Sequence, residues 1–425
     1  MRSFSTRSLI VALVFCAASS YAGNAVQLAK LTATNGVSGD VLGTSVASGN
    51  DIIFVGAPSH TVRGNVLQGA VYGYVKSATG WKTMTQTGSV VASDGQAYDL
   101  FGISVAINGN TLVVGARRNG DGNRCQPGKA YVFVKSGKSW SALKQVAELT
   151  ASDGAPCDGF GESLSISGNT IVVGAYEAMV NEINAGAAYV FVEPAGGWKN
   201  MTQTAKLTAS DPRAGGYLGD SVSTDGKTVV AGAPQGAFTG EAYVYVEPAL
   251  GWTNITETAK LTGSDAKPGD FFGNSVSLRG SSIIVGSPYH SNAMQGAGYI
   301  FVEPPSGWTN STETAELTVP DSQIPVLLGT SVLIEGNTVV MGAPDVSFRG
   351  FRTPGAVYIF TKPATGWQTT SKFKTKLVSR DGFTGDNFGQ AIAMTGNTAI
   401  VGAIFVHWDP SFEYPGAGAA YVFGP

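Results

Sequence analysis

The segment DLFGISVAINGNTLVVGAR, residues 99–117, contains two short apolar runs separated by a turn. The first run follows a Phe-Gly pair, and the second run ends in Gly-Ala. Gly-Asn between the runs is typical of a two-residue hairpin turn, because positive φ is readily adopted by Gly and tolerated by Asn. The segment therefore predicts two antiparallel strands.

The same pattern occurs seven times along the chain. Each copy begins with a [Phe/Leu]-Gly pair, continues to an ending of the GAP type, and leads to a third run such as AYVFV, residues 130–134. Neighbouring copies are 54 to 60 residues apart, a period typical of repeat architectures. The glycines of the pairs are Gly43, Gly102, Gly161, Gly219, Gly273, Gly329 and Gly389.

A fourth run such as AKLTAS, residues 205–210, completes the repeat in most copies. Four short antiparallel strands cannot bury both faces alone, but seven such sheets can close into a ring. We therefore predict an all-β fold, a single seven-bladed β-propeller over residues 23–425. A tryptophan recurs between the third and fourth runs and is expected to pack inside the blades: Trp81, Trp140, Trp198, Trp252, Trp308 and Trp367.

The two ends of the chain complement each other. The seventh repeat stops after its third run, AYVF at 420–423, and has no fourth run. Residues 25–34, AVQLAKLTAT, match a fourth run and have no repeat before them. We predict that a strand at 27–34 completes blade seven and covers an edge that would otherwise be open to aggregation.

The [Phe/Leu]-Gly pairs and GAP-type endings, in this order and number, resemble the FG-GAP repeat family, which includes the seven-bladed propeller of integrin α-subunits. The resemblance covers essentially the whole chain after residue 22, and it implies recognition or adhesion. Propellers of that type often bind calcium in Asp-rich hairpins between strands one and two. Here those hairpins carry at most one acid each, so we expect no metal there and no cofactor. The fragment NGDGN at 119–123, with Asp121, is interpreted as a Gly-rich turn.

The N-terminus has the features of a secretory signal peptide. Arg2 and Arg7 precede the apolar run 9–18, and small residues lead to Ala22. We expect cleavage after Ala22 and export to the periplasm, the cell surface or the medium. Lipidation at Cys16 is disfavoured by the bulky Phe15. The apolar run is too short for a membrane span, and we expect no membrane insertion of the mature protein.

The charge balance argues against one class of partner. The chain has 27 Lys and Arg against 30 Asp and Glu, and removal of residues 1–22 would leave a net charge of −5. A nucleic-acid partner would need a basic face, so none is expected.

Cys125 and Cys157 remain after signal cleavage and are predicted to form a disulfide, as expected in an exported protein. Each lies in a connection that leads from an even strand to an odd strand. Both connections therefore emerge on the same face of the propeller.

Two sets of aspartates recur at fixed places, and both are predicted to accept backbone N–H bonds in tight connections. A ring of ligands is the alternative. One set lies three residues before the FG glycine: Asp40, Asp99, Asp158, Asp270 and Asp386. The other follows Ser: Asp94, Asp153, Asp211 and Asp265.

No motif of a known catalytic type is present, and we expect a protein without enzymatic activity. The connections between strands two and three are the most varied segments and are rich in Arg, His and aromatic residues. Trp408 is the one tryptophan outside the repeat position. We predict a ligand-binding surface in blades one and seven, with a loop at 404–416 that either binds or plugs the channel. The residues of this predicted binding surface are His60, Arg63, His407, Trp408, Asp409, Phe412 and Tyr414.

The sequence thus predicts an exported, non-catalytic module that binds a protein or a glycan. The alternatives are a polysaccharide lyase or hydrolase and a structural envelope or matrix component. Three N-glycosylation sequons stand at matching repeat positions, Asn200, Asn254 and Asn310, and are interpreted as repeat descent. The ligand and the oligomeric state are left open.

Overall fold

The computed structural model describes residues 25–117, 125–137, 139–140, 142–291, 294–320, 326–344, 354–406 and 416–425. The regular secondary structure of this part of the chain is β-strand, and its one helical segment is a 3₁₀ turn, Gly236–Phe238. Within these ranges no helix is long and apolar enough to cross a membrane. The predicted signal peptide, residues 1–22, lies outside them.

Seven antiparallel sheets, the blades, are numbered here by the chain order of their inner strands. The inner strands, called strand one, are Val46–Ser48, Ser104–Asn108, Leu164–Ser167, Ser221–Thr224, Ser275–Arg279, Ser331–Glu335 and Phe388–Thr395. Strand two of each blade is Ile52–Ala57, Thr111–Ala116, Thr170–Ala175, Thr228–Ala233, Ser282–Ser287, Thr338–Ala343 and Thr398–Ala403.

Strands three and four lie farther from the axis. Strand three is Ala70–Val75, Lys129–Lys135, Ala187–Val192, Glu241–Val246, Ala297–Val302, Ala356–Thr361 and Ala419–Gly424. Strand four is Gly88–Val90, Leu143–Thr150, Ala205–Thr208, Ala259–Thr262, Ala315–Leu317, Thr375–Leu377 and, in blade seven, Val26–Thr32. A separate small hairpin pairs Met179–Val180 with Ile183–Asn184.

The blades form a closed ring. Each inner strand contacts the inner strands of the two neighbouring blades, and the first blade contacts the seventh in the same way. The predicted closure by the N-terminal strand is confirmed: Val26–Thr32 runs antiparallel to Ala419–Gly424, with Ala29 opposite Val422 and Leu31 opposite Ala420. The fold prediction from the repeat is therefore correct.

The glycine of the GAP-type ending and the glycine of the FG pair contact each other at every interface between blades. A Cβ atom on Gly174, in the GAP-type ending of blade three, would lie 1.9 Å from the carbonyl oxygen of Gly219, the FG glycine of blade four. The same contact closes the ring, because a Cβ on Gly402 would lie 2.0 Å from the oxygen of Gly43. Only glycine fits a backbone approach this close, which explains why both the FG and the GAP motifs recur.

The hydrophobic core is divided among the interfaces. The described residues form seven apolar clusters, each shared by two neighbouring blades. Within a blade, the Phe of the FG pair stands edge-on to the Tyr of strand three, as in Phe160 and Tyr189 at 5.6 Å. The six repeat tryptophans are only 5–9% exposed, so the prediction that they pack inside the blades is confirmed.

The segment before strand four joins each blade to its predecessor. Four such segments add a fifth, parallel strand to the preceding sheet: Met84–Thr85, Met201–Thr202, Ile255–Thr256 and Ser311–Thr312. The sequon residue Asn254 accepts a hydrogen bond from the Lys206 amide at 2.8 Å, and Asn200 and Asn310 make the equivalent bond. Thr83 makes it in blade one. The sequons thus mark a position that ties one blade to the next.

The predicted disulfide is confirmed. Cys125 and Cys157 are bonded, with their Cα atoms 5.1 Å apart and a sequence separation of 32. The bond links a connection of blade two to the connection that enters blade three.

We expect replacement of both Cys125 and Cys157 by Ser to lower the free energy of unfolding by about 3–4 kcal/mol, the loop-closure value for about thirty residues. Chemical denaturation of the oxidised protein and the double variant measures the difference. Equal stabilities, or two free thiols in alkylated exported protein, would contradict this expectation.

Candidate binding face

The two faces of the propeller differ in how regular they are. On one, here called the hairpin face, strands one and two are joined by short turns, and in five blades by two residues. On the opposite loop face, the connections between strands two and three run from seven residues after Ala233 to fifteen after Ala403. The connections between strands two and three therefore differ more from blade to blade than the turns between strands one and two.

The FG aspartates shape the loop face as predicted. Oδ2 of Asp158 accepts a hydrogen bond from the Ala155 amide at 2.8 Å, and the other four members repeat this bond to the amide three residues earlier. Each of these carboxylates therefore closes a turn at the start of an inner strand, and the interpretation as turn residues is confirmed.

A ring of left-handed residues lies at the same place in every blade, including the two blades that lack this aspartate. The residue two positions before each FG glycine has φ between 50° and 70° in all seven blades. This conformation costs an L-residue about 1–2 kcal/mol, and it is exceptional for bulky or β-branched side chains. Blade three has Gly159 there; the other six positions hold half-buried residues, here called the left-handed ring: Val41, Leu100, Tyr217, Phe271, Leu327 and Asn387.

The left-handed ring encircles the propeller axis, because each member immediately precedes an inner strand. Two members stand against a second aromatic residue from the end of a strand two. Tyr217 meets Tyr176 edge-on, with ring centroids 5.7 Å apart, and Phe271 lies 5.1 Å from the 37% exposed Tyr289. Aromatic surface is thus available beside the axis.

A charged cluster lies at the same end of the axis. It comprises Arg117, Glu162 and Asp220, contributed by three successive blades. A guanidinium nitrogen of Arg117 is 2.8 Å from Glu162 Oε2. Burial raises the pKa of Glu162, although the guanidinium opposes this shift. Burial, and then the Glu162 carboxylate, raise the pKa of Asp220 to about 7. The cluster therefore combines one cation with two carboxyl groups that ionise less readily than usual.

The predicted site residues are distributed differently. His60 is nearly buried: Nδ1 lies 2.8 Å from Asp40 Oδ2, and Nε2 lies 3.1 Å from the amide nitrogen of Asn35. Both ring nitrogens of His60 are therefore engaged. Arg63 is exposed and has a φ of 51°. The other five lie outside the described residues: His407, Trp408, Asp409, Phe412 and Tyr414.

The second aspartate set behaves differently from the prediction. Asp153 accepts hydrogen bonds from Lys206 Nζ at 2.6 Å and from the Tyr189 hydroxyl at 3.1 Å. Blades two and four repeat the lysine contact, from Lys129 to Asp94 and from Lys260 to Asp211. The interpretation as backbone-bonded turn residues was wrong in its main partners. Three of the four carboxylates accept a hydrogen bond from a lysine distant in sequence, and the fourth, Asp265, accepts one from Tyr299.

The sequence marks the positions of two of these features, the left-handed ring and the charged cluster, but it does not reveal their structure. The [Phe/Leu]-Gly pair locates the left-handed ring at the residue before it, although nothing in the pair reveals the sign of φ. Arg117, Glu162 and Asp220 occupy repeat positions that hold uncharged residues in other blades, such as Pro58 and Thr44. A comparison between repeats therefore marks them as exceptional.

The sequence profile of the FG-GAP repeat matches residues 25–74, 84–133, 143–191, 201–245, 255–301 and 372–423. Each matched segment begins at or before the outer strand of one blade and ends in strand three of the next. No match covers strands one to three of blade six, which the structure nevertheless shows. No curated protein matches the chain. With more than half of its length matched and all seven blades in place, the chain belongs to the FG-GAP repeat family.

Proposed function

We propose that the protein is an exported binding module that recognises a protein or a glycan through the loop face and catalyses no reaction. The left-handed ring is the observation that carries this proposal. Six blades hold a side chain where Gly159 shows that glycine fits, and each accepts a backbone strain of about 1–2 kcal/mol. Strained residues concentrated at one place are a recognised mark of a functional surface.

The chemistry around the ring suits recognition. Tyr217, Phe271 and Tyr289 offer faces and edges that can stack on a sugar or anchor a protein loop. The cluster of Arg117, Glu162 and Asp220 adds hydrogen-bond donors and acceptors at the centre. The disulfide fits an extracellular or periplasmic location, which the signal-like N-terminus also favours.

Binding to a glycan array and to immobilised cell-surface proteins tests the proposal. The informative variant is Tyr217→Gly with Phe271→Gly, which removes two rings without imposing new backbone strain. We expect it to weaken binding of the ligand found at least tenfold. Asn108→Ala with Asn337→Ala, two exposed residues of the hairpin face, is the matched control and should bind normally. The reverse order of effects would place binding on the hairpin face.

The predicted loop residues belong to the same proposal. Arg63→Ala and Trp408→Ala should weaken binding of that ligand while the melting temperature changes little. If Trp408→Ala unfolds the protein and Arg63→Ala leaves binding unchanged, the 404–416 loop serves as a plug of the channel.

The strain in the ring gives a separate expectation about stability. At Tyr217, the Gly variant should be more stable than the Ala variant by about 1 kcal/mol, because Ala keeps the left-handed strain and Gly relieves it. Tyr289, whose φ is negative, is the control and should show the usual order, with Ala the more stable. Urea unfolding of the four variants compares them. Ala above Gly at both positions would show that Tyr217 is unstrained.

A second candidate function, cleavage of a polysaccharide, is favoured by one observation. The pKa of Asp220 is raised to about 7 beside a second carboxyl group, Glu162, and an acid of that strength can donate a proton at neutral pH. Release of reducing ends from a panel of polysaccharides, lost in Asp220→Asn, would establish this function. Binding without turnover in wild-type protein favours the binding module.

The same shift predicts a dependence of stability on pH. The folded pKa of Asp220 lies above the unfolded value near 3.9, so the folded state holds the proton longer and stability falls as pH rises from 4 to 8. Asp220→Asn removes the charge and should be more stable than wild type at pH 8, by about 4 kcal/mol, and nearly equal to it at pH 4. Denaturant unfolding at both values measures this. A variant less stable at pH 8 would contradict the assignment.

A further inference from the structure

Three blades share one arrangement on the loop face, which serves as an internal reference. In each, a lysine from strand four and a tyrosine from strand three of the same blade flank an aspartate from the connection that enters the blade. In blade three these are Lys206, Tyr189 and Asp153. Blade four has Lys260, Tyr243 and Asp211, and blade seven has Lys30, Tyr421 and Asp381.

Blade five keeps the aspartate and the tyrosine but reverses the charge of the third member. The Tyr299 hydroxyl donates to Asp265 at 2.9 Å. Glu316 pairs in register with Tyr299, as Lys206 pairs with Tyr189 in blade three. A carboxylate therefore stands where the reference blades have an ammonium group, and His290, from the connection between strands two and three, approaches both acids.

The histidine is oriented by a third carboxylate. Nδ1 of His290 lies 3.0 Å from Asp270 Oδ2, so its N–H is directed at Asp270 and the lone pair of Nε2 points elsewhere. Nε2 is 3.6 Å from Asp265 Oδ2 and 3.8 Å from Glu316 Oε1. Both distances exceed a hydrogen bond. A histidine held by a carboxylate, with its other nitrogen free, is the arrangement found behind protein metal ligands.

Blade one shows what the same histidine does without ligands beside it. His60 also contacts an FG aspartate through Nδ1, but its Nε2 faces the amide nitrogen of Asn35, at the position that Asp265 holds in blade five. The strand-four residue opposite Tyr72 is Ser89 instead of a glutamate. Among the described blades, only blade five has His, Asp and Glu together at these three positions.

We propose that His290 Nε2 and the carboxylates of Asp265 and Glu316 bind a divalent transition-metal ion of the Zn²⁺ class, with Asp270 as the positioning residue behind the histidine. The three ligand atoms lie within 4.8 Å of one another. Tetrahedral bonds of about 2.0–2.2 Å hold ligand atoms roughly 3.3–3.6 Å apart, so the two carboxylates would have to approach each other by up to about 1.5 Å, which side-chain rotation at the exposed Asp265 allows. An imidazole with two carboxylates suits Zn²⁺ better than Ca²⁺, which prefers oxygen ligands alone.

The site is accessible from solvent. The Asp265 side chain is 48% exposed, so an ion can enter from solvent and keep a position open. The site is distinct from the hairpins that were considered for calcium, and it extends the function proposed above with a metal-dependent element of the loop face.

Titration of metal-free mature protein with ZnCl₂ by calorimetry tests the proposal, and CoCl₂ provides a visible spectrum of the site. We expect one ion per chain. His290→Ala and Glu316→Lys should each weaken Zn²⁺ binding at least a hundredfold, and Asp270→Asn about 10- to 100-fold. Glu316→Lys should fold normally, because lysine occupies this position in four other blades.

The matched control is Asp153→Asn, which changes the equivalent aspartate of a lysine-bearing blade and should leave Zn²⁺ binding unchanged. Folding of each variant is checked by its melting temperature in EDTA. Absence of saturable Zn²⁺ binding in the wild type, or undiminished binding in either His290→Ala or Glu316→Lys, would overturn the site. Ligand binding by the wild type in EDTA would separate the metal site from the proposed recognition function.

Discussion

Deletion of residues 25–36 from the mature protein should open the ring and greatly reduce its stability. The deleted strand supplies the outer edge of blade seven, where Leu31 is fully buried and Ala29 is 1% exposed. Its loss also breaks the Lys30–Asp381 ion pair and the bond from the Arg380 amide to Gln27. Burial of one leucine alone contributes about 2–5 kcal/mol, so we expect a total loss on the order of 5–10 kcal/mol.

Two point variants in the same strand provide the matched comparison. Leu31→Ala should cost about 2–5 kcal/mol, whereas Leu28→Ala, at a position 39% exposed, should cost less than about 1 kcal/mol. Thermal melts and urea unfolding measure all three proteins. A deletion variant with the melting temperature of the full mature protein would show that the strand does not close the ring.

Gly174→Ala should destabilise the interface between blades three and four by more than about 4 kcal/mol. The new methyl group would lie 1.9 Å from the Gly219 carbonyl oxygen and 2.3 Å from the Ser163 hydroxyl. Most of that contact is with backbone, so the two blades must separate to relieve it. Such overpacking within a closed ring belongs to the small class of severe substitutions.

Gly196→Ala is the control for this variant. A Cβ at Gly196 would meet no atom within 4 Å, and its φ lies outside the left-handed region. We expect a change of no more than about 0.5 kcal/mol, in either direction. Similar unfolding free energies for Gly174→Ala and Gly196→Ala would refute the explanation that the GAP motif needs glycine because two blades approach closely there.

The fold was predictable because its cause is local and repeated. The FG and GAP glycines are needed wherever two blades meet, so seven interfaces leave seven pairs of glycines in the sequence. Closure was predictable for the same reason, since the seventh repeat lacks a strand that the N-terminus supplies.

The candidate sites were not predictable, because each depends on residues brought together from different repeats. Lys206 and Asp153 are 53 residues apart, and the sequence gives no reason to pair them. The contact of Arg117 with Glu162 depends on how two blades are placed side by side. The left-handed ring depends on backbone dihedral angles. Five of its six side chains are Val, Leu, Tyr or Phe, and these residue types do not predict a positive φ.

The central claim is that the loop face, around the left-handed ring, binds the ligand. Hydrogen–deuterium exchange of the mature protein, with and without a ligand taken from the array or the cell-surface panel, tests it most directly. The account predicts that the ligand slows exchange at residues 98–101, 215–220 and 269–274, at the start of inner strands on the loop face. Protection confined to the hairpins around Gly109, Gly168 and Gly336, on the opposite face, would contradict it.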